Sequence, residues 1–121
     1  MKVEGTDFAV VFVDDYAIAV EFFRDDLGLD HLDYGKIPGG EFETGNLTLQ
    51  VIEASAIGRD FEPSGHPIAL HVDDVEGARR ELEAKGVEFL GGTIDSGVCH
   101  MAPFSDPAGN AFLLHKRYAP R

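Results

Sequence analysis

The fold of this chain is decided by two stretches that match each other, Phe8-Ala-Val-Val-Phe-Val-Asp-Asp15 and Pro67-Ile-Ala-Leu-His-Val-Asp-Asp74. Each is an apolar run of strand length that ends in a pair of aspartates. An aspartate in that position can accept the unpaired backbone N–H groups at the start of a helix. Each stretch therefore predicts a strand followed by a helix, and their match predicts an internal repeat.

The agreement between the two halves continues in the same order along the chain. Apolar residues follow each aspartate pair at the spacing of one helical face: Tyr16, Val20, Phe23 and Leu27, then Val75, Ala78 and Leu82. Gly28 and Gly86 stand where a helix ends on a glycine with positive φ. Each half is thus predicted to contain one amphipathic helix.

Three shorter strands are predicted after each helix, which makes the repeating unit β-α-β-β-β. They lie around His31–Tyr34, Glu41–Thr44 and Leu47–Glu53, and again around Glu88–Leu90, Cys99–Phe104 and Ala111–His115. Asp106-Pro107-Ala108-Gly109-Asn110 predicts the last turn. We expect an α+β fold in one domain, residues 1–121, with module one at about 6–58, module two at about 66–117 and the join within Arg59–Gly65.

Composition excludes several classes of function. The chain has 121 residues, 10 Lys and Arg, 22 Asp and Glu, and a formal net charge of −12. Binding to a nucleic-acid backbone requires a basic surface, so no nucleic-acid partner is expected. The acidity is compatible with a cationic ligand, a salt-rich cell interior or simple solubility. The single cysteine, Cys99, indicates a reducing compartment, and no apolar run predicts a leader or membrane span, so we expect a cytoplasmic protein.

The order of these segments resembles the vicinal oxygen chelate superfamily, which includes glyoxalase I, extradiol dioxygenases, and fosfomycin- and bleomycin-resistance proteins. Three segments carry the resemblance: Val13-Asp14-Asp15 with Phe22-Phe23-Arg24-Asp25-Asp26-Leu27-Gly28-Leu29, Ile68-Ala69-Leu70-His71-Val72-Asp73-Asp74-Val75, and Phe104-Ser105-Asp106-Pro107-Ala108-Gly109-Asn110. It implies two βαβββ modules that form a cup-shaped half-open barrel, completed or buttressed in a homodimer.

The resemblance also implies positions for a divalent metal. Metal-dependent members place one ligand early on the first strand and one on the last strand of each module, commonly His, Gln or Glu. Here those positions fall on residues that cannot bind a metal, namely Phe8, Leu49, Pro67 and Leu113. We therefore expect no metal cofactor. The alternative is a one-residue slip in register, which would bring in His66, Gln50 and Asp7 but no fourth ligand.

Alternation along the strands predicts which residues line the cup. The candidate ligand-binding residues are Phe8, Val10, Phe12, Leu49, Gln50, His71, His100, Leu113 and His115. The stretch at 98–101 offers either Cys99 with Met101 or His100 to the same cavity. Such a lining is mostly apolar with a few polar points, which is typical of a small-molecule site. Three of these polar residues, His71, His115 and Cys99, are also candidate catalytic groups, with surface or packing roles as the alternative.

These observations predict a metal-independent small-molecule-binding protein of the glyoxalase/bleomycin-resistance type. Its ligand would be apolar, aromatic or cationic. The alternative is an enzyme, a glyoxalase-like lyase or isomerase or a dioxygenase, with a non-standard metal site or a histidine general base. A third interpretation fills the cup with side chains and leaves only protein contacts as the function. A homodimer is expected, and no membrane partner.

Overall fold

The computed structural model describes residues 1–121, which divide into two compact units, Met1–Glu62 (unit 1) and Pro63–Arg121 (unit 2). Each unit carries one four-stranded sheet of mixed strand direction and one helical segment that follows its first strand. The α+β class and the two repeated modules are confirmed. Neither α-helix combines the length and the hydrophobicity needed to span a bilayer.

Unit 1 pairs its strands in the order β1-β4-β3-β2. The first strand runs parallel to the fourth, and the other neighbours are antiparallel. Its elements are β1 Phe8–Val13, helix α1 Tyr16–Val20, a π-helical segment Glu21–Asp26, β2 Asp30–Asp33, β3 Gly39–Glu43, β4 Thr48–Glu53 and a 3₁₀ turn Ala54–Ile57.

Unit 2 repeats this topology in the order β5-β8-β7-β6. Again the first strand is parallel to the last, and the other pairs are antiparallel. Its elements are β5 Ile68–His71, helix α2 Val75–Ala84, β6 Ile94–Asp95, β7 Cys99–Ser105 and β8 Ala111–Arg117.

The junction between strand and helix is built in the same way in both units, as the aspartate pairs predict. The Asp15 carboxylate accepts a hydrogen bond from the backbone N–H of Ile18 at 3.3 Å, and Asp74 accepts one from Gly77 at 3.1 Å. Each bond satisfies a backbone donor that has no partner inside the helix. After the helices the chain turns at Gly28 and Gly86, whose φ angles are 72° and 92°.

The helical segment of unit 1 differs from the predicted regular helix. After Val20 the turns widen, and the backbone N–H of Leu27 bonds to the carbonyl of Phe22, five residues back. A wider turn rotates the following residues around the helix axis. Phe22 is therefore buried beside Phe23, whereas the predicted positions Val20 and Leu27 are only partly covered.

The strand predicted at Glu88–Leu90 is wrong. Only Phe89 forms a bridge there, to Phe104, and the N–H of Leu90 bonds to the carbonyl of Pro103. Gly91, with a φ of 83°, then turns the chain away from the ladder. Pairing resumes at Ile94–Asp95 as β6.

Each sheet has one face covered by its own helical segment, which we call the helix face, and an opposite face, which we call the open face. In unit 1 the rings of Tyr16 and Phe23 pack on Phe42 of β3. In unit 2 Phe104 and Phe112 stack on the helix face. Most of the core side chains of both units lie on these helix faces: Val11, Val13, Phe42, Leu49, Val51, Ala102, Phe104, Phe112 and Leu114.

Candidate functional site

The open face of unit 1 combines apolar and acidic side chains in two rows across the sheet. Residues paired across neighbouring strands share a face. One row runs Val10, Gln50, Glu41 and Leu32, and the next runs Phe8, Thr48, Glu43 and Asp30. Both rows begin with an apolar side chain on β1 and reach a carboxylate on β3. Gln50, the slipped-register candidate, is thus a neighbour of Val10.

The apolar side chains of this face are open to solvent. Phe8 is 46% exposed, Val10 43% and Leu32 69%. The adjacent carboxylates are held by hydroxyl groups: Tyr34 donates to Glu41 at 3.4 Å, and Thr48 donates to Glu43 at 2.8 Å. An exposed apolar surface bordered by ordered polar groups is the usual composition of a recognition surface.

Phe12 follows Phe8 and Val10 on the open face of β1, and its ring contacts the guanidinium group of Arg59. The guanidinium carbon of Arg59 lies 4.7 Å from the ring centroid. Arg59 follows the 3₁₀ turn that closes unit 1. This contact is a cation–π interaction and shows that the aromatic surface of this face accepts a positive charge.

The open face of unit 2 carries imidazole and sulfur groups. His71 on β5 pairs with His115 on β8, and His115 pairs in turn with Met101 on β7. Along the same face Ala69 pairs with Leu113, and Cys99 pairs with Arg117. The structure thus brings the predicted residues His71, Leu113 and His115 together on one sheet, and Cys99 lies near its end. No sequence signal had marked Arg117 as a member of this face.

Two predicted lining residues lie on the wrong face. Leu49 pairs with Ala9 and Phe42, is fully buried and belongs to the helix face. His100 pairs with Lys116, so it lies on the face opposite Met101 and Cys99. Both errors have the same cause, since a shift of one residue along a strand exchanges the two faces.

His100 instead belongs to an exposed cluster at the β6–β7 hairpin. Its Nε2 lies 3.4 Å from Asp95, and its ring lies 4.7 Å from that of Tyr118. The Tyr118 hydroxyl donates to Asp95 at 2.7 Å. A hydrogen bond from the backbone N–H of Gly97, reinforced by Tyr118, lowers the pKa of the Asp95 carboxyl. The cluster ties the segment after β8 to the hairpin.

A polar network on the helix face of unit 1 was not predicted. The Tyr16 hydroxyl donates to Asp33 at 2.6 Å, and Nε2 of His31 lies 3.3 Å from the same carboxylate oxygen. The His31 ring stacks on Phe42 at 5.1 Å. Burial, followed by the hydrogen bond to Asp33, raises the pKa of Tyr16. Only the pairing of β2 with β3 brings these residues together, so no local motif marks them.

The predicted turn at residues 106–110 is held by hydrogen bonds between two buried residues, Asp106 and Asn110. The Asp106 carboxylate accepts hydrogen bonds from the backbone and side-chain nitrogens of Asn110 at 2.7 and 2.9 Å. Asn110 in turn accepts one from the N–H of Ser64 at 2.8 Å. Burial raises the pKa of Asp106 despite these bonds. These hydrogen-bond partners all belong to the chain itself, so we assign the turn a structural role.

The donor set does not fit the divalent metal that the resemblance implies. At the positions on the first and last strands of each unit that the resemblance implies, the pairs Phe8–Thr48 and Val10–Gln50 offer one hydroxyl and one amide, and the pair Ala69–Leu113 offers no ligand. His66 and Pro67 precede β5, and Asp7 precedes β1. No group of three or more His, Cys, Asp or Glu side chains converges as metal ligands need to.

Comparison with known proteins places this architecture in a family. The model of the Glyoxalase/Bleomycin resistance protein/Dioxygenase superfamily matches residues 5–114, and the chain belongs to that superfamily. No curated protein sequence matches the chain.

Solved structures of similar fold span nearly the whole chain. A Bacillus anthracis protein described as of the glyoxalase family matches with a TM-score of 0.82 at 19% identity, covering 97% of this chain and 98% of its own. A member of the same superfamily from Sphaerobacter thermophilus has a TM-score of 0.80 at 23% identity, covering 95% and 98%. An integron cassette protein from the mobile metagenome of V. cholerae has a TM-score of 0.76 at 22% identity, covering 98% of each chain. At such identities the likeness establishes the fold alone.

Proposed function

We propose that this protein binds a small molecule without a metal, and that the open face of unit 1 recognises its ligand. The ligand would carry an apolar or aromatic body and a positive charge. The observation that carries this proposal is the pair of rows that join exposed Phe8 and Val10 on β1 to Glu43 and Glu41 on β3.

The geometry of the rows sets the size of the ligand. Strands β1 and β3 are separated by β4, which places them about 10 Å apart. An aryl group against Phe8 and Val10 and an ammonium group near Glu41 would span that distance in a molecule such as 4-phenylbutylamine. Gln50 lies between them and can accept or donate a hydrogen bond.

Charge supports a cationic ligand. The net charge of −12 attracts cations at long range. At short range Glu41 and Glu43 are ordered by hydroxyl donors, and Arg59 shows that a cation stacks on this face. Binding would remove the exposed apolar side chains of this face from water, and this burial would contribute favourably to the free energy of binding.

A thermal-shift series tests the proposal on protein treated with a chelator. We expect 4-phenylbutylamine to raise the melting temperature, and neutral 4-phenylbutanol to raise it less. A ligand at a hundredfold excess over its dissociation constant stabilises by about 2.7 kcal/mol. Glu41→Gln should remove the preference for the amine, whereas Glu4→Gln, which makes the same charge change at an exposed terminal residue, should leave it intact.

Three outcomes would overturn the proposal. The first is equal stabilisation by the amine and the alcohol, and the second is a shift that needs an added metal. The third is a stable dimer of the free protein that becomes monomeric in Val10→Lys and shows no ligand shift, since a second copy would then cover the face.

One observation favours the enzymatic alternative. His71 and His115 are direct partners on adjacent parallel strands, which places two imidazoles side by side on the open face of unit 2. An imidazole that titrates near neutral pH can act as a general base. An activity of this kind should disappear in both His71→Gln and His115→Gln. Survival in both variants would remove this alternative.

A further inference from the structure

The open face of unit 2 is free of acidic side chains in a strongly acidic chain. The strand residues on this face include His71, His115 and Arg117, and the others are apolar, sulfur-containing or hydroxyl side chains. Two carboxylates lie near this face without belonging to its strands: Asp95 accepts a hydrogen bond from Tyr118, and Asp73 lies 3.8 Å from both Lys116 and His71 at the end of β5. This face is therefore the opposite of the open face of unit 1, where carboxylates border the apolar residues.

Arg117 has donor capacity that the chain leaves unused. Its Nη2 donates to the carbonyl oxygen of Pro120 at 3.1 Å, but its Nε is buried and has no hydrogen-bond partner. A buried donor without an acceptor is unfavourable. The Nε–Nη2 edge of a guanidinium matches the two oxygens of a carboxylate, which accept both hydrogen bonds at once.

We propose that this edge of Arg117 binds the carboxylate of a small apolar acid. The carboxylate replaces the single carbonyl of Pro120 and satisfies Nε as well as Nη2. His115, two residues back on the same face, lies within reach as a second donor, and Leu113 and Met101 offer apolar surface to the body of the ligand. In the free protein, the Pro120 carbonyl takes one of the two acceptor positions, the one at Nη2.

This site is independent of the one proposed on unit 1. It takes a ligand of opposite charge and uses a different sheet, so each proposal can fail alone. The segment after β8 is held on its other side by Tyr118, whose hydroxyl bonds to Asp95. The backbone N–H groups of Tyr118 and Ala119 also bond to the carbonyl of Val98, so displacement of the Pro120 carbonyl requires a change in the backbone after Ala119.

Titration of the protein with 4-phenylbutyrate tests the site, by calorimetry or by NMR. We expect saturable binding by the wild type, and affinity about 10- to 100-fold lower in Arg117→Gln, since a charge-assisted hydrogen-bond pair is lost. Arg80→Gln is the matched control: it makes the same change at an exposed residue of α2 and should bind as the wild type does. Inorganic phosphate, which lacks an apolar body, should bind at least about tenfold more weakly.

Stability separates a ligand site from a structural role. Removal of a buried unpaired Nε should leave the melting temperature of Arg117→Gln equal to or above that of the wild type. Arg117→Lys keeps the charge but loses the planar fork and should bind much more weakly than arginine. Wild-type affinity in either Arg117 variant would overturn the proposal. So would an equal loss in Arg80→Gln, or phosphate binding as tight as that of 4-phenylbutyrate.

Discussion

The two units share one topology and differ in what their open faces carry. Unit 1 presents Phe8 and Val10 beside carboxylates, whereas unit 2 presents His71, His115 and Arg117 on a face without acids. Their helix faces, in contrast, are alike, because both must fill a core. The comparison teaches that duplication preserved the packed side of each sheet and left the opposite side able to diverge in charge.

The units also anchor their helices by different contacts around equivalent rings. In unit 1 His31 stacks on Phe42 at 5.1 Å and Tyr16 bonds to Asp33. In unit 2 the ring of Phe89 lies 5.2 Å from that of Phe104, and the guanidinium of Arg79 on α2 lies over the Phe89 ring at 4.8 Å. One unit thus holds its helix by a partly buried phenol–carboxylate hydrogen bond, and the other by a cation–π contact.

The largest expected effect on stability comes from replacing the equivalent core phenylalanines of the two units. Phe42→Ala and Phe104→Ala each remove a fully buried ring from a helix face. Each should lower the free energy of unfolding by about 3–5 kcal/mol, measured by urea denaturation. A cost below about 1 kcal/mol for either variant would show that its helix face is not a packed core.

Tyr16→Phe should have the next largest effect, since it removes only the hydroxyl that bonds to Asp33. We expect a loss of about 1–2 kcal/mol in the free energy of unfolding. Tyr34→Phe is the control, because its hydroxyl makes a longer bond to Glu41 at 3.4 Å and should matter less. If the two variants lose the same stability, the Tyr16–Asp33 hydrogen bond is not a specific anchor of the helix in unit 1.

The hydroxyl group of Tyr16 should also make the stability of unit 1 depend on pH in the alkaline range. Burial and Asp33 raise the pKa of Tyr16 above its ordinary value of 10.0, so the folded protein favours the neutral phenol. This contribution to stability is fully present below pH 10 and is lost as the pH rises further. Tyr16→Phe should therefore flatten the decline in melting temperature above that pH. An unchanged decline would contradict this assignment.

The helix caps should show smaller and similar effects in the two units. Asp15→Ala and Asp74→Ala each remove a side chain that accepts a hydrogen bond from the first turn of a helix. We expect each to lower stability by about 1 kcal/mol, and Asn at either position to restore most of it. A substantial difference between the two would mean that the junctions are not equivalent.

The smallest expected effect is that of Arg79→Lys. Lysine keeps the charge but loses the planar contact with Phe89 and the two hydrogen bonds to Thr93 and Gly91. We expect a loss of about 0.5–1 kcal/mol, measured as the urea midpoint of the variant against wild type. Arg80→Lys, at the next residue but exposed, should be neutral.

Local chemistry explains why so much of the fold was predictable. The aspartate caps and the glycines after the helices act within a few residues. The matching stretches at 8–15 and 67–74 therefore predict the junction between strand and helix in both units. The widened turn at Glu21–Asp26 and the broken strand at Phe89 were not predictable in this way. They depend on how Phe22 and Phe104 pack, which is a tertiary effect.

The site was predicted less well because a face depends on register to a single residue. Phe8, Val10 and Phe12 share the open face of β1 as expected, but Leu49 and His100 fall on the opposite faces of their sheets. Gln50 occupies the position predicted for Leu49. Arg117 and the Tyr16–Asp33–His31 network carried no sequence signal, because their significance comes from strand pairing alone.

The most direct test of small-molecule binding is calorimetric titration of chelator-treated protein with 4-phenylbutylamine. We predict saturable binding at one site per chain, lost in Val10→Lys, which places a cation in the middle of the unit 1 open face. Val3→Lys makes the same substitution at an exposed residue before β1 and should bind as the wild type does. Absence of binding, or equal binding in Val10→Lys, would contradict the account.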